Sequence, residues 1–119
     1  MNGWIAVDLD GTLAQYDGWV HEEHIGEPIP LMVERVRKWL AEGQDVRIFT
    51  ARVGGEAAEN KDGSRRDLQA VRAAIQSWCL RHIGQPLPIT NQKDFEMVEL
   101  WDDRCVQVIP NTGKRADGQ

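Results

Sequence analysis

The residues of this chain best suited to chemistry are acidic and come in two pairs. Asp8 and Asp10 stand two apart at the end of a short apolar run, in the string VDLDGTL, and Asp102 and Asp103 close a second apolar run in WDDR. Residues two apart on an extended chain point the same way, so the first pair converges at a strand tip. Like charges held close are costly unless a cation neutralises them or one carboxyl keeps a proton. If both pairs share one cleft, their hard oxygen ligands suit Mg²⁺ better than zinc, which takes nitrogen and sulfur. His21 and His24 show no zinc-type spacing with a cysteine. One Asp-rich turn alone reads as a solvated turn or a helix cap. Two such pairs, each after an apolar strand, read as a site for a divalent cation.

Thr50 ends a third apolar run (46–50, VRIFT) and is followed by Ala51 and Arg52. A hydroxyl and exposed backbone N–H groups at that point can bind phosphoryl oxygens. Lys93, just after Thr90-Asn91-Gln92, would set a positive charge beside the carboxylates. Alone, each is a weak signal, since strand-end threonines and surface lysines are common. Their order along the chain, between the two acidic pairs, gives them weight.

These side chains need elements to position them. Residues 4–7 are short and rich in strand formers, so they read as a strand that stops at a Gly-containing turn. Residues 14–30 hold Gly18, Gly26, Pro28 and Pro30 as breakers, which fits a small hairpin or loop. Met32, Val33, Val36, Trp39 and Leu40 recur at helical spacing, with Gly43 as the stop. After the strand at 46–50 comes a polar loop at 53–63. Ser64, with Asp67 three positions later, matches a helix start. Leu68, Val71, Ile75, Trp78, Cys79 and Ile83 form that helix's stripe, closed by Gly84. Residues 86–90, 96–101 and 105–109 read as third, fourth and fifth strands, and a loose tail follows from Asn111. Alternating strands and helices predict an α/β fold, a Rossmann-like three-layer sandwich around a mostly parallel sheet. Chemistry in such sheets sits at the carboxyl ends of the strands, where Asp8, Asp10, Thr50, Arg52, Lys93, Asp102 and Asp103 all fall.

Composition sets the bounds. The chain has 119 residues, 14 Lys+Arg against 19 Asp+Glu, and a net charge of −5. One domain is expected at this length. The acidic balance argues against coating nucleic acid or anionic membrane by bulk charge, though not against a local basic site. No stretch approaches the roughly 20 apolar residues of a membrane helix. The N-terminus lacks the basic, apolar, small-residue layout of a signal peptide. Two cysteines, Cys79 and Cys105, both in apolar surroundings, are too few for a disulfide framework, so a reduced, cytoplasmic protein is expected.

VDLDGTL, the Thr50 of VRIFTAR, Lys93 and the WDDR string resemble motifs one to four of the haloacid dehalogenase-like phosphohydrolases, over residues 4 to about 109. The resemblance implies Mg²⁺-dependent phosphoryl transfer through an aspartyl-phosphate. Asp8 would be the nucleophile and Asp10 the general acid, then base. Thr50, Ala51, Arg52 and Lys93 would hold the phosphoryl group. Asp8, the backbone carbonyl of Asp10 and the acidic pair would bind the metal, with Asp103 as the direct ligand and Asp102 as a helper orienting Lys93 or a metal-bound water. The chemistry suits the residue types: a carboxylate is a weak base that can attack phosphorus once metal and lysine neutralise the phosphoryl oxygens.

Segments 14–30 and 53–63 are too short to fold as the cap domains of many relatives, so a capless member with an open cleft is expected. Such a cleft admits macromolecular ends or takes a second subunit of a homo-oligomer as its lid. DGTLA and DDR are similar to the 3′-phosphatase half of polynucleotide kinase-phosphatases, but no clear helix follows Asp103-Arg104 and no Gly-x-x-x-x-Gly-Lys loop is present. Arg52, Lys61, Arg65, Arg66 and Arg104 could line the rim, and Trp19 could stack on a base. The substrate is therefore a phosphorylated metabolite or nucleotide, or a nucleic-acid end. Trp4, Trp39, Trp78 and Trp101 are expected in the core. Two other classes compete. A phosphoacceptor receiver module also has an early acidic pair, a Thr and a Lys, yet it needs an Asp where this chain has Thr50, and it has no place for Asp102-Asp103. A non-catalytic phosphate-binding relative would lack catalytic residues that are all present here.

Overall fold

The computed structural model describes residues 3–54, 63–65 and 67–118. Four strands, β1 (Trp4–Asp8), β2 (Asp45–Phe49), β3 (Ile89–Thr90) and β4 (Met97–Trp101), form one sheet in the order β3-β2-β1-β4. All three pairings are parallel. Two helices, α1 (Pro30–Ala41) and α2 (Leu68–His82), provide the crossovers from β1 to β2 and from β2 to β3. This is an α/β architecture with an all-parallel sheet, and the described residues contain no cap. No helix among them is long and apolar enough to cross a membrane.

Pairing sets the faces. Ile5 lies opposite Val46 and Val7 opposite Ile48, and these four form one buried cluster with Val33 and Val36 of α1 and Val71, Ile75, Trp78 and Cys79 of α2. Both helices therefore cover the same face of the sheet. Trp101 at the end of β4 joins that face, stacked at a tilt against Trp39 of α1 with 5.1 Å between ring centroids. On the opposite face the described residues place no helix. That face carries Trp4, whose ring lies under the Arg47 guanidinium at 4.6 Å and whose Nε1–H donates to Asp94 at 2.9 Å. The latter bond fastens the link between β3 and β4 to the start of β1. All four tryptophans expected in the core are buried or half-buried.

The helix ends show what the sequence pattern resolves and what it leaves open. Pro30 sits in the first turn of α1, where its missing N–H costs nothing, and Gly43 follows with φ +81. Helix α2 starts later than the Ser64 signal implies. Asp67 is the cap, accepting the Ala70 N–H at 3.1 Å, so the pattern's second residue does the capping. The fifth strand expected at 105–109 does not form. Val106, Val108 and Ile109 are exposed, and Cys105 is exposed too, unlike Cys79. The tail is locally ordered instead: Ile109 N–H donates to the Lys114 carbonyl and Ala116 N–H to the Gln107 carbonyl, both at 2.8 Å.

Candidate functional site

Parallel pairing brings the carboxyl ends of all four strands to one edge of the sheet. The chain runs from β1 to β2 to β3 in one direction, then returns to lay β4 on the other side of β1. Ligands in such sheets bind where the strand order reverses, which here is the crevice between the tips of β1 and β4. Asp8 ends β1, and Asp102 and Asp103 directly follow β4. One carboxylate oxygen from each of these three residues lies within 4.8 Å of the others. A cleft of about 360 Å³ opens over them, lined also by Asp10, Thr50, Ala51, Arg52 and Arg104.

Asp8 sits in a setting that disfavours its charge. Its pKa is pushed up to about 7, first by burial, then by the Asp102 charge, then by a hydrogen bond and charge from Asp103; the Thr12 hydroxyl, 3.3 Å away, partly opposes this. Three carboxylates at such range are an oxygen-only donor set of the kind that suits Mg²⁺. The turn after β1 makes the approach possible. Gly11 has φ +89, and a Cβ there would fall 2.5 Å from an Asp103 carboxylate oxygen. Gly11→Ala is therefore expected to displace Asp103 and strain the turn by about 1–2 kcal/mol. Thermal denaturation with and without Mg²⁺ checks this: the variant should lose most of any metal-dependent gain in Tm, and an unchanged gain would contradict it.

Asp10 has a different setting. Its two oxygens accept from Nε and Nη2 of Arg52, both at 2.8 Å, in a two-pronged pair. The same guanidinium donates through Nη1 to the Glu22 carbonyl at 3.0 Å and is 9% exposed. Arg52, expected to hold a phosphoryl group, is thus turned onto Asp10 and the loop above it. Thr50 is buried, and its hydroxyl accepts the Arg52 N–H at 3.1 Å, capping a single 3-10 turn at Ala51–Val53. The Thr50 N–H donates to the Thr90 carbonyl at 2.9 Å, so two backbone donors of this segment serve the fold. Ala51 is exposed at the cleft.

Lys93 is exposed in the link after β3 and does not line the cleft. The reason is topological. β3 is two residues long and is separated from β1 by β2, about 10 Å at ordinary strand spacing. Arg104 does line the cleft, and its N–H donates to Asp102 at 2.8 Å, which fixes the turn after β4. Arg65 is exposed, whereas Lys61 and Arg66, together with most of loop 53–63, lie outside the described residues.

Tyr16, Trp19 and Phe49 complete the lining. Tyr16 carries no motif signal, and only its place in a Gly- and Pro-punctuated loop beside the first Asp pair could have pointed to it. That loop, 14–28, closes like a hairpin: Gln15 N–H donates to Glu27 at 2.8 Å, and a Cβ on Gly26 would fall 1.9 Å from the Gln15 carbonyl oxygen.

Fold and site together define an α/β protein with an acidic crevice at the switch point of a parallel sheet. No family model and no curated protein matches the chain. Among solved structures it is similar to a conserved protein from Bacteroides thetaiotaomicron, with 24% identity and a TM-score of 0.56 over 93% of this chain and 84% of that one. That likeness concerns the fold.

Proposed function

We propose that this protein is a capless, Mg²⁺-dependent phosphomonoester hydrolase of the haloacid dehalogenase-like type. The observation that carries the reading is the meeting of Asp8 with Asp102 and Asp103 at adjacent strand tips, with Asp10 two residues further on. An Asp8 oxygen attacks phosphorus and the ester oxygen leaves, taking a proton from Asp10. Asp10 then accepts a proton from water as that water attacks the aspartyl-phosphate, releasing phosphate and restoring Asp8. Mg²⁺ bound by Asp8, Asp102, Asp103 and the Asp10 backbone carbonyl would neutralise the clustered charge and polarise the phosphoryl oxygens.

Arg52 shapes the part played by Asp10. With both oxygens engaged, Asp10 takes up the proton it donates, and reaches a leaving group, only as one arm of the clamp loosens. Among the described residues, Arg52 and Arg104 are the cations lining the cleft, and Lys93 joins them only if the link after β3 swings inward.

The test is phosphate release from a panel of nucleoside monophosphates, sugar phosphates and phosphorylated oligonucleotides, with Mg²⁺ or excess chelator. Release that requires Mg²⁺ is the expected result. Full release in excess chelator would contradict the metal assignment, and no release from any substrate would contradict the hydrolase reading.

A further inference from the structure

Two aromatic rings at the mouth of the cleft have no part in the chemistry above. Tyr16 is 40% and Trp19 38% exposed, and both line the same cleft as Asp8. The other tryptophans of the chain have ring or cation partners: Trp39 with Trp101, Trp78 with His82, Trp4 with Arg47. Among the described residues, Tyr16 and Trp19 show no such contact. Their loop is nonetheless held down at several points. Gln15 N–H donates to Glu27, the Trp78 indole N–H to the Gly26 carbonyl at 2.9 Å, and Arg52 to the Glu22 carbonyl. Open π-faces on an anchored loop form a pre-positioned platform, since little ordering entropy remains to be lost when a flat ligand stacks there.

We infer that Tyr16 and Trp19 are a stacking rim selecting phosphomonoesters that carry a nucleobase, as free nucleotides or as the terminal residue of a strand. The inference rests on the hydrolase reading for where the phosphate sits and adds what lies beyond it. With the phosphoryl group at Asp8, the rest of the substrate leaves through the open mouth, past both rings. A sugar phosphate offers no π-face to them. Arg104, at the same mouth, can meet a further phosphate of a strand.

The experiment is calorimetric binding in Mg²⁺ to the Asp8→Asn protein, which holds ligand without turning it over. The probes are adenosine 5′-monophosphate, a 3′-phosphorylated trithymidylate and ribose 5-phosphate. Either base-bearing probe should bind about tenfold or more tightly than ribose 5-phosphate. Adding Trp19→Ala or Tyr16→Ala should cut that preference about fivefold or more, while Trp19→Phe should keep most of it. The tighter base-bearing probe identifies the source, free nucleotide or strand end. Equal binding of ribose 5-phosphate, or a preference untouched by both alanine variants, would overturn the rim. Because the preference is a ratio within one variant, its failure is distinct from failure of the hydrolase reading. Wild-type turnover without base preference sinks only the rim, and base-selective binding without turnover of any substrate sinks only the hydrolase.

Discussion

Asp8→Asn is expected to lower turnover on the order of 10⁴-fold or more while making the metal-free protein more stable near neutral pH. The first effect follows from losing the attacking oxygen. The second follows from Asp8's surroundings. Burial, then the Asp102 and Asp103 carboxyls, push its pKa from 3.8 to about 7, so between those values the folded chain binds a proton that the unfolded chain has released. Stability must then fall as pH rises through that window, and the loss is complete above it. Asparagine carries no charge to penalise. Asp8 is only half-buried, so the gain is discounted for solvent screening to about 1–2 kcal/mol, or several degrees in Tm. The gap between variant and wild type should be widest near pH 8, close toward pH 4, and shrink when Mg²⁺ is added. Thermal scans at these pH values measure it. Equal stability at pH 8 without metal would mean that the three carboxylates do not crowd one another as described.

Arg52→Ala should be the most destabilising change at the site. It leaves Asp10 without either arm of its clamp and frees the loop at Glu22. Removing one partner of a largely buried ion pair leaves an uncompensated charge, here with a cost of about 2–3 kcal/mol because Asp10 keeps some access to water. Arg52→Lys should recover only part of this, since an ammonium cannot reproduce the two-pronged geometry. Chemical denaturation of Arg52→Ala, Asp10→Asn and the double variant closes a cycle in which the double change costs clearly less than the sum. Additive losses would show that the pair contributes no coupling.

Much of the frame was legible because it rests on local pattern. The 3.6-residue stripes of α1 and α2 and the apolar runs of β1, β2 and β4 lie within a residue or two of their observed places. The meeting of Asp8 with Asp102 and Asp103 followed from the rule that parallel strands gather their carboxyl ends. What stayed hidden depends on contacts far apart in sequence. Nothing in the string VRIFTAR says that Arg52 will turn to Asp10, 42 positions away. Lys93 is near the acidic pair in sequence, yet β3 stands at the sheet edge and the link after it runs back to the start of β1, where Asp94 meets Trp4, away from the strand tips. The run 105–109 alternates as a strand should, but alternation names no partner. Asp102 captures the Arg104 N–H, and the segment around Asn111, with φ +65, folds back so that Gln107 and Ile109 pair locally with Ala116 and Lys114. Those local bonds use the donors and acceptors that addition to β4 would need. Trp19 already read as a residue that could stack on a base, whereas Tyr16 was only a loop residue until the hairpin-like closure set both at the cleft.

The most direct test of the central claim is to trap the covalent intermediate. The protein would be mixed with a turned-over phosphomonoester and Mg²⁺, quenched, and treated with borohydride, which reduces an acyl phosphate to the alcohol. Peptide mass spectrometry should then find homoserine at position 8, with no such change in protein treated without substrate. Phosphate release with position 8 left as unmodified aspartate and the reduced residue elsewhere in the chain would contradict the assignment of Asp8 as the group that takes the phosphoryl.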